Sequence, residues 1–243
     1  MVKSHTTQRV LVLSDIHAPF QDEQALSVAK AFQKDFRPHI TIALGDWIDS
    51  SAFSTHAKDI ENFDQLDEYL IASQLLDDFK PQIWIDGNHE DRLFRPGNIP
   101  QSYRRLLDHR KWLRFKERGI KHHPYSSHEK HIYKLGKLSF VHGFSAGQYA
   151  AARAASRYGS VVLGHTHRLQ IVQLPHASYK HTGFNIGCLC RLDQNYTKTW
   201  DPHGWGHGFG YGYVYKSGNF TFNVARLIGD KIHLEGKEYA LNS

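Results

Sequence analysis

Residues 161–167 read Val-Val-Leu-Gly-His-Thr-His. The apolar run has the length of a buried strand, and Gly164 ends it just before two histidines that stand two positions apart. A single histidine after a strand is usually a polar loop residue. A pair in this position raises the question of a metal site, because imidazole is a common metal ligand.

Four other short apolar runs end in the same kind of polar cluster. The clusters are Ser14-Asp15-Ile16-His17, Gly45-Asp46-Trp47-Ile48-Asp49, Asp86-Gly87-Asn88-His89-Glu90 and Val141-His142-Gly143. In an open α/β sheet the carboxyl ends of the strands lie along one edge, where ligands bind. The sequence therefore predicts that all five clusters converge in space.

The first third of the chain alternates between strand and helix patterns. Strands are predicted at 10–13, 40–44 and 83–85. Helices are predicted at 24–36, with Asp22 as N-cap, and at 63–79. The second helix would place four leucines near one face: Leu66, Leu70, Leu75 and Leu76. Continuous apolar strands between helices indicate a parallel sheet that is covered on both faces.

The second half of the chain is richer in strands. They are predicted at 138–141, 161–163, 169–174 and 180–185, with an alanine-rich helix at 147–157. A C-terminal hairpin is predicted at about 210–235, where aromatic residues alternate. No repeat or linker-like segment divides the chain. We therefore expect a single α/β domain over residues 1–243, with a two-layered β core and helices outside.

Composition excludes several classes of protein. Of the 243 residues, 40% are hydrophobic and 22% charged, which is ordinary for a globular protein. The apolar runs are far shorter than the roughly 20 residues of a membrane span, and the N-terminus lacks the apolar stretch of a secretory signal. Cys188 and Cys190 stand where a disulfide would be strained, which fits a reducing compartment. We expect a cytoplasmic protein with no membrane partner.

The five clusters supply aspartate, asparagine and histidine, a ligand set that suits Mn, Fe, Ni or Zn. No cysteine stands among them, which excludes a structural zinc site of the cysteine type. The ligands are too many for one open catalytic metal, whereas two metals roughly 3.5–4 Å apart would use them all. Such a pair hydrolyses phosphate esters.

In their order along the chain, these motifs resemble those of the calcineurin-like metallophosphoesterase superfamily. The resemblance covers residues 15–167. It implies a four-layer α/β/β/α fold, in which two mixed β-sheets form a sandwich flanked by helices. It also implies two divalent metal ions, with Mn²⁺ favoured over Fe, Ni or Zn. The implied ligands are Asp15, His17 and His167 for the first metal, Asp46 as the bridge, and Asn88, His142 and His165 for the second.

The resemblance also gives His89 and Asp49 catalytic roles. His89 would protonate the leaving group or stabilise charge on the phosphoryl oxygens, and Asp49 would orient His89 and raise its basicity. Ser/Thr protein phosphatases continue this motif as G-D-x-V-D-R-G, with an arginine that binds the substrate phosphate. Ser50 takes that position here, which weakens a protein-phosphatase interpretation and leaves Arg92 as a substitute.

Positive charge is concentrated just after the third cluster. Residues 92–137 hold 13 lysines and arginines against 3 acidic residues, in a chain of net charge +6. We expect a basic helical insertion at about 91–131, helical over 97–119, in which Arg104 and Arg105 join Arg92 in binding substrate. Arginines interleaved with aromatic residues suit nucleic acid, although a solvated helix gives the same pattern.

The function that these features favour is hydrolysis of phosphodiesters, with DNA or RNA as one candidate substrate. The alternative is a phosphomonoesterase or an enzyme like the Ser/Thr protein phosphatases. A non-catalytic scaffold is a remote third hypothesis. Four further histidines, at 122, 123, 128 and 131, fit an exposed polar loop better than a third metal site.

Overall fold

Two mixed β-sheets lie at the centre of the protein in a computed structural model. The structure describes residues 7–54, 64–95, 99–126, 129–175, 180–193, 204–229, 231–234 and 236–240. The strands are β1 (Gln8–Leu13), β2 (Ile40–Ala43), β3 (Ile83–Ile85), β4 (Lys121–His123), β5 (Tyr133–Leu135), β6 (Leu138–Val141), β7 (Val161–Leu163), β8 (Leu169–Leu174), β9 (His181–Ile186), β10 (Gly208–Val214), β11 (Phe220–Arg226), β12 (Lys231–Leu234) and β13 (Lys237–Ala240). The helices are α1 (Glu23–Phe36), α2 (Gln65–Phe79), α3 (Asn88–Asp91), α4 (Gln101–Arg104), α5 (His109–Trp112) and α6 (Ala150–Tyr158).

The first sheet has the strand order β11-β10-β1-β2-β3-β4, and the second has the order β5-β6-β7-β9-β8. In the first sheet β1, β2, β3 and β4 are parallel, β10 pairs antiparallel with β1, and β11 pairs antiparallel with β10. In the second sheet β6, β7 and β9 are parallel. Each sheet therefore presents the carboxyl ends of several parallel strands at one edge.

Alternate residues of β1 face opposite layers, as the two-residue period of a strand requires. Val10 and Val12 pack with Phe140 and Val162 of the second sheet in the layer between the sheets. Leu11 and Leu13 belong to a second cluster, which α1 and α2 cover. Both faces of this strand are buried, which explains why its sequence is apolar throughout.

Helix α6 covers the outer face of the second sheet, where Ala151 and Ala155 pack against Val161 and Leu163. The order of layers is therefore helix, sheet, sheet, helix, and the expected α/β/β/α sandwich is confirmed. Helix α1 begins where predicted, because the Asp22 side chain accepts a hydrogen bond from the Ala25 backbone at 2.8 Å. Among the described residues, no helix combines the length and the apolarity needed to cross a bilayer.

The predicted inner face of α2 was partly wrong. Leu75 and Leu76 are buried, but Leu66 is 38% exposed and Leu70 is 65% exposed. The buried face instead follows Tyr69, Ala72, Leu76 and Phe79, a spacing of three and four residues that keeps them on one side of a helix. The predicted start, Phe63, lies outside the described residues.

The predicted helix over 97–119 was also wrong, and its first residue, Gly97, lies outside the described residues. Over residues 99–119, which the structure describes, the segment forms the short helices α4 and α5, joined by turns. The Asp108 side chain starts α5 by accepting a hydrogen bond from the Arg110 backbone at 3.1 Å. The chain leaves α5 through Arg114, whose φ of 55° is incompatible with a continuing helix.

The C-terminal part contains two hairpins where one was predicted. The first pairs β10 with β11 and extends the first sheet. The second pairs β12 with β13 and forms a sheet of its own. Residues 230 and 235 of the predicted hairpin lie outside the described residues.

Candidate metal centre

Polar side chains from the ends of five strands meet in one buried cluster. They follow β1, β2 and β3 of the first sheet and β6 and β7 of the second, so the sandwich brings both sheets to the same site. We call this group the strand-end cluster; its members are Asp15, His17, Asp46, Asn88, His142, His165 and His167. The structure brings together all seven residues that the sequence suggested as metal ligands.

Five of these residues have left-handed backbones. The φ angle is positive at Asp15 (53°), His17 (53°), Asp46 (51°), His165 (69°) and His167 (56°). A non-glycine residue in this region is uncommon, and such strain concentrates at functional sites. Each turn directs a polar side chain back across the sheet edge instead of along the strand.

Two glycines allow the loops to approach this closely. A Cβ at Gly87 would lie 2.1 Å from Asp46 Oδ1, and a Cβ at Gly164 would lie 2.4 Å from Asp15 Oδ2. Both distances are far below van der Waals contact. Any side chain at these positions would therefore displace a carboxylate of the cluster.

One half of the cluster is formed by Asp15, His17 and His167. The Nε2 atoms of His17 and His167 lie 3.2 Å apart, and His167 Nε2 lies 3.2 Å from Asp15 Oδ1. Three ligand atoms from two sheets thus face one point.

The other half is formed by Asn88, His142 and His165. His142 Nε2 lies 3.2 Å from Asn88 Oδ1 and 3.1 Å from Asp46 Oδ2. Asp46, His142 and His165 each offer a ligand atom within 4.8 Å of the others. The same Asp46 oxygen is 3.9 Å from His17 Nε2. Asp46 therefore stands between the halves, and His165 and His167 lie on different sides of it.

Hydrogen bonds behind the rings determine which nitrogen faces the centre. His17 Nδ1 donates to Asp49 Oδ1 at 2.8 Å, and His142 Nδ1 donates to the Leu44 carbonyl at 2.8 Å. In a neutral imidazole this leaves the Nε2 lone pair free to bind a cation. The donor set and its tautomers fit two divalent metal ions.

The charges of the strand-end cluster also favour bound cations. Burial lowers the pKa of His142, but the Asp46 carboxylate outweighs burial and raises that pKa to about 10. Burial and the neighbouring His142 lower the pKa of His165 to about 4. The carboxylates therefore favour positive charge at the centre, which protons or metal ions can supply.

His89 lies beside the cluster and is held by Asp49. His89 Nδ1 is 2.9 Å from both the backbone carbonyl and the Oδ1 atom of Asp49. His89 Nε2 is 3.8 Å from Asp46 Oδ2 and 3.1 Å from Arg92 Nη2. Burial opposes protonation, but Asp46 and Asp49 outweigh it and raise the pKa of His89 above its ordinary value. His89, Asp49 and Arg92 thus form one connected group at the edge of the cluster.

The structure does not bring Arg104 or Arg105 to this group. The Arg104 guanidinium donates hydrogen bonds to the backbone carbonyls of Ile99 and Arg95 at 3.4 and 3.1 Å. Arg105 is exposed on the turn after α4. Among the three arginines suggested for substrate binding, Arg92 alone has a described contact with His89 or Asp49.

Two buried glutamates shape the loops and had no predicted role from the sequence. Glu90 is fully buried and accepts hydrogen bonds from the backbone N–H groups of Asp46, Trp47, Ile48 and Gly87. Glu68 accepts from the backbone N–H groups of Ser50 and Ser51 at 2.6 and 3.1 Å. A glutamate directly after Asn88-His89 signals the first contact, but nothing near Glu68 in sequence indicates the second.

A second buried group of histidines and a carboxylate lies behind the strand-end cluster. His109 Nε2 is 3.0 Å from Asp86 Oδ1, and His122 Nε2 is 2.7 Å from Asp86 Oδ2. Trp84 Nε1 donates to Asp86 Oδ1 at 2.8 Å. We call this the Asp86 cluster. His122 is therefore not the exposed loop residue that its sequence suggested. His131 is buried as well. His128 lies outside the described residues.

The family model for calcineurin-like phosphoesterases matches residues 8–169. The chain belongs to this family. The match covers the strands and loops that carry every residue of the strand-end cluster. Members of the family bind divalent metals, and the donor set described above agrees with that.

Solved structures are similar to the chain at low sequence identity. Vacuolar protein sorting 29 from Cryptosporidium parvum is 15% identical with a TM-score of 0.51, covering 97% of this chain and 100% of its own. The Escherichia coli phosphoesterase Yfce is 15% identical with a TM-score of 0.45, covering 96% and 100%. No curated protein matches the chain significantly. The likeness to vacuolar protein sorting 29 supports the architecture of this calcineurin-like phosphoesterase and says nothing about its substrate or activity.

Proposed function

We propose that the protein hydrolyses phosphodiesters with the help of two divalent metal ions, Mn²⁺ being favoured. Asp15, His17 and His167 would hold one ion, and Asn88, His142 and His165 the other, with Asp46 between them. When bound, the ions supply positive charge for the phosphoryl oxygens and acidify the attacking water. The observation that carries this proposal is the convergence of imidazole Nε2 atoms from both sheets around Asp46.

His89 is the residue that moves a proton in this proposal. Its Nε2 atom faces the cluster, and its Nδ1 atom is held by Asp49. Because its pKa is raised, the ring carries a proton more readily than a free histidine does. It is thus suited to protonate the leaving oxygen or to stabilise charge on the phosphoryl group.

Arg92 supports the preference for diesters. Its Nη1 atom donates to the Asp49 carbonyl at 2.8 Å, which fixes the guanidinium beside His89. Ser50, at the position where protein phosphatases carry an arginine, is buried, and Glu68 binds its backbone N–H. A diester carries one negative charge and a monoester up to two, so the one guanidinium that contacts both His89 and Asp49 within the described residues suits the diester better.

Nucleic acid is the more specific candidate for the diester. Arg110 pairs with Asp108 and Arg118 with Asp77, so these side chains already have partners within the fold. Other exposed side chains on the basic segment include Arg105, Lys111, Arg114 and Lys116. Replacing these four by glutamine should weaken DNA binding and reduce its salt dependence; an unchanged salt slope would exclude the segment as a nucleic-acid surface.

The test of the proposed reaction is a comparison of substrates with Mn²⁺ present. We expect faster hydrolysis of ethyl p-nitrophenyl phosphate, a diester, than of p-nitrophenyl phosphate, a monoester. The same assay includes single- and double-stranded DNA as further substrates. Faster turnover of the monoester would favour the phosphomonoesterase alternative. No bound metal and no hydrolysis with any divalent ion would instead favour a non-catalytic scaffold.

A further inference from the structure

A cavity of about 180 Å³ borders the half of the strand-end cluster that contains His142 and His165. Gly143, which follows His142 directly, lies in its wall, together with Phe144 and the side of α6 that carries Arg153 and Arg157. A Cβ on Gly143 would lie 3.3 Å from the Cβ of His165. Gly143 therefore links one wall of the cavity to His142 along the chain and to the His165 side chain in space.

Phe144 presents an aromatic face that is fixed but not covered. Its ring lies 4.6 Å from the Tyr125 ring at an angle of 37°, and His131 meets it edge-on at 5.0 Å. Tyr125 is held in turn, because its hydroxyl donates to the Gly143 carbonyl at 3.1 Å. Phe144 nevertheless remains 42% exposed. A rigid, half-exposed ring beside a catalytic cluster is a suitable surface for a stacked base.

Two arginines add positive charge at the rim. Arg153 and Arg157 are exposed and lie one turn apart on α6, where like charges repel each other. The Arg153 Nη1 atom lies 3.4 Å from the Ser145 hydroxyl, and Arg157 stacks on the Tyr158 ring at 5.3 Å. Within the described ranges, neither guanidinium forms an ion pair with a carboxylate. Both therefore remain able to bind an anion.

We propose that this cavity is a nucleoside subsite, in which Phe144 stacks with a base next to the scissile phosphate and Arg153 and Arg157 bind the following phosphate. The volume is smaller than the roughly 300–1,000 Å³ of pockets that enclose a whole ligand, so a base fits inside and the phosphate stays at the rim. This inference rests on the proposed function and narrows its substrate to diesters with a nucleoside and a further phosphate.

Three substrates with the same leaving group separate the contribution of the stacked base from that of the following phosphate. Ethyl p-nitrophenyl phosphate has no base, thymidine 5′-(p-nitrophenyl phosphate) adds the base, and its 3′-phosphorylated form adds the second phosphate. Phe144→Ala should raise KM about tenfold for both thymidine substrates and leave the ethyl ester unchanged, because stacking is lost. Arg153→Gln with Arg157→Gln should raise KM for the 3′-phosphorylated substrate alone. Tyr215→Ala and Arg226→Gln, exposed on or near the first C-terminal hairpin, are the matched controls.

A binding measurement keeps the subsite testable apart from catalysis. Thymidine 3′,5′-bisphosphate should bind the wild type in calorimetry and lose about tenfold in affinity in Phe144→Ala, even if no diester is hydrolysed. Failure of all hydrolysis with binding preserved would thus overturn the proposed function but not the subsite. A Phe144→Ala effect that is equal for the ethyl and thymidine esters, or absent from both hydrolysis and binding, would overturn the subsite.

Discussion

The strand-end cluster and the Asp86 cluster have similar composition but opposite arrangements. In the strand-end cluster His17 and His142 each bond an acceptor behind the ring through Nδ1, and their Nε2 atoms face the centre. In the Asp86 cluster the acceptor stands in front, because His109 Nε2 and His122 Nε2 each point at their own carboxylate oxygen. Both nitrogens donate to that carboxylate, and among the described residues His109 Nδ1 has no hydrogen-bond acceptor behind the ring.

The two clusters therefore differ in hydrogen bonding, although either would pass as a metal site on residue types and spacing alone. In the first, imidazole nitrogens of His17, His142 and His167 converge with the carboxylates of Asp15 and Asp46 on the same space, which suits cations. The second is a hydrogen-bonded network around Asp86 that joins β3, β4 and α5. What separates a ligand from a structural histidine is the position of its hydrogen-bond acceptor.

The largest expected effect is the loss of metal from Asp46→Asn. Asp46 is the carboxylate that lies between both halves, so one or both ions should be lost. The loss of affinity should exceed the roughly 100-fold that removal of an outer partner of a ligand costs. Metal per chain, measured by plasma mass spectrometry, checks this. Asp67→Asn, on the exposed side of α2, is the control and should bind metal normally.

His89→Ala should separate catalysis from metal binding. We expect turnover to fall by about 10²–10⁴, the usual contribution of a proton donor, while metal content stays that of the wild type. Steady-state kinetics and metal analysis of the same preparation test both statements. Loss of metal together with activity would make His89 a ligand, contrary to its proposed role as a proton donor.

His109→Ala should destabilise the fold without removing metal. It deletes a charged hydrogen bond and leaves a carboxylate oxygen of Asp86 with Trp84 alone, which costs about 2–4 kcal/mol. Urea unfolding measures the loss, and metal per chain should not change. His233→Ala, on an exposed hairpin, should leave both quantities unchanged. A missing metal equivalent in His109→Ala would show that the Asp86 cluster binds an ion.

The smallest effect is a pH dependence of the Asp86 cluster. Burial opposes ionisation of Asp86, but the His109 imidazolium outweighs burial and holds the pKa of the Asp86 carboxyl below its usual range. Burial likewise opposes protonation of His109, but Asp86 raises the pKa of His109 above the ordinary 6.5. The raised pKa means that stabilisation by His109 is complete below about pH 6.5 and is lost as pH rises through the folded-state value.

His109→Gln isolates this term, because the amide keeps a donor to Asp86 but cannot be charged. The stability advantage of the wild type over His109→Gln should be greatest between about pH 4 and 6.5, where both partners are ionised, and should shrink in more alkaline solution. Urea unfolding at a series of pH values gives the difference directly. An advantage that grows above about pH 7 would contradict the charged pair.

The strand-end cluster could be predicted because each of its parts is local. An apolar run, a glycine and one or two polar residues identify each strand end, and parallel strands bring those ends together. The Asp86 cluster could not, since its contacts join residues 23 and 36 positions apart. They depend on β4 pairing with β3, which neighbouring residues do not determine.

The basic segment shows a different limit. Its leucines and aromatic residues recur at helical spacing, so a single long helix was expected. Asp108 instead begins a new helix with its side chain, and the segment turns over the core in short pieces. Local capping outweighed periodicity here. The exposure of Leu70 on α2 shows a related limit. Which face of a helix is buried depends on the elements that it packs against, and the sequence of the helix alone does not identify them.

The left-handed turns at Asp15, His17, Asp46, His165 and His167 have a consequence for protein engineering. Each would be relaxed by glycine, which adopts such φ angles without strain, whereas every one of these residues contributes its side chain to the strand-end cluster instead. A redesign that optimised stability alone would select glycine at these five positions. The result would be a less strained backbone that lacks the side chains of the strand-end cluster. Any such redesign of this fold therefore has to keep these five residues unchanged.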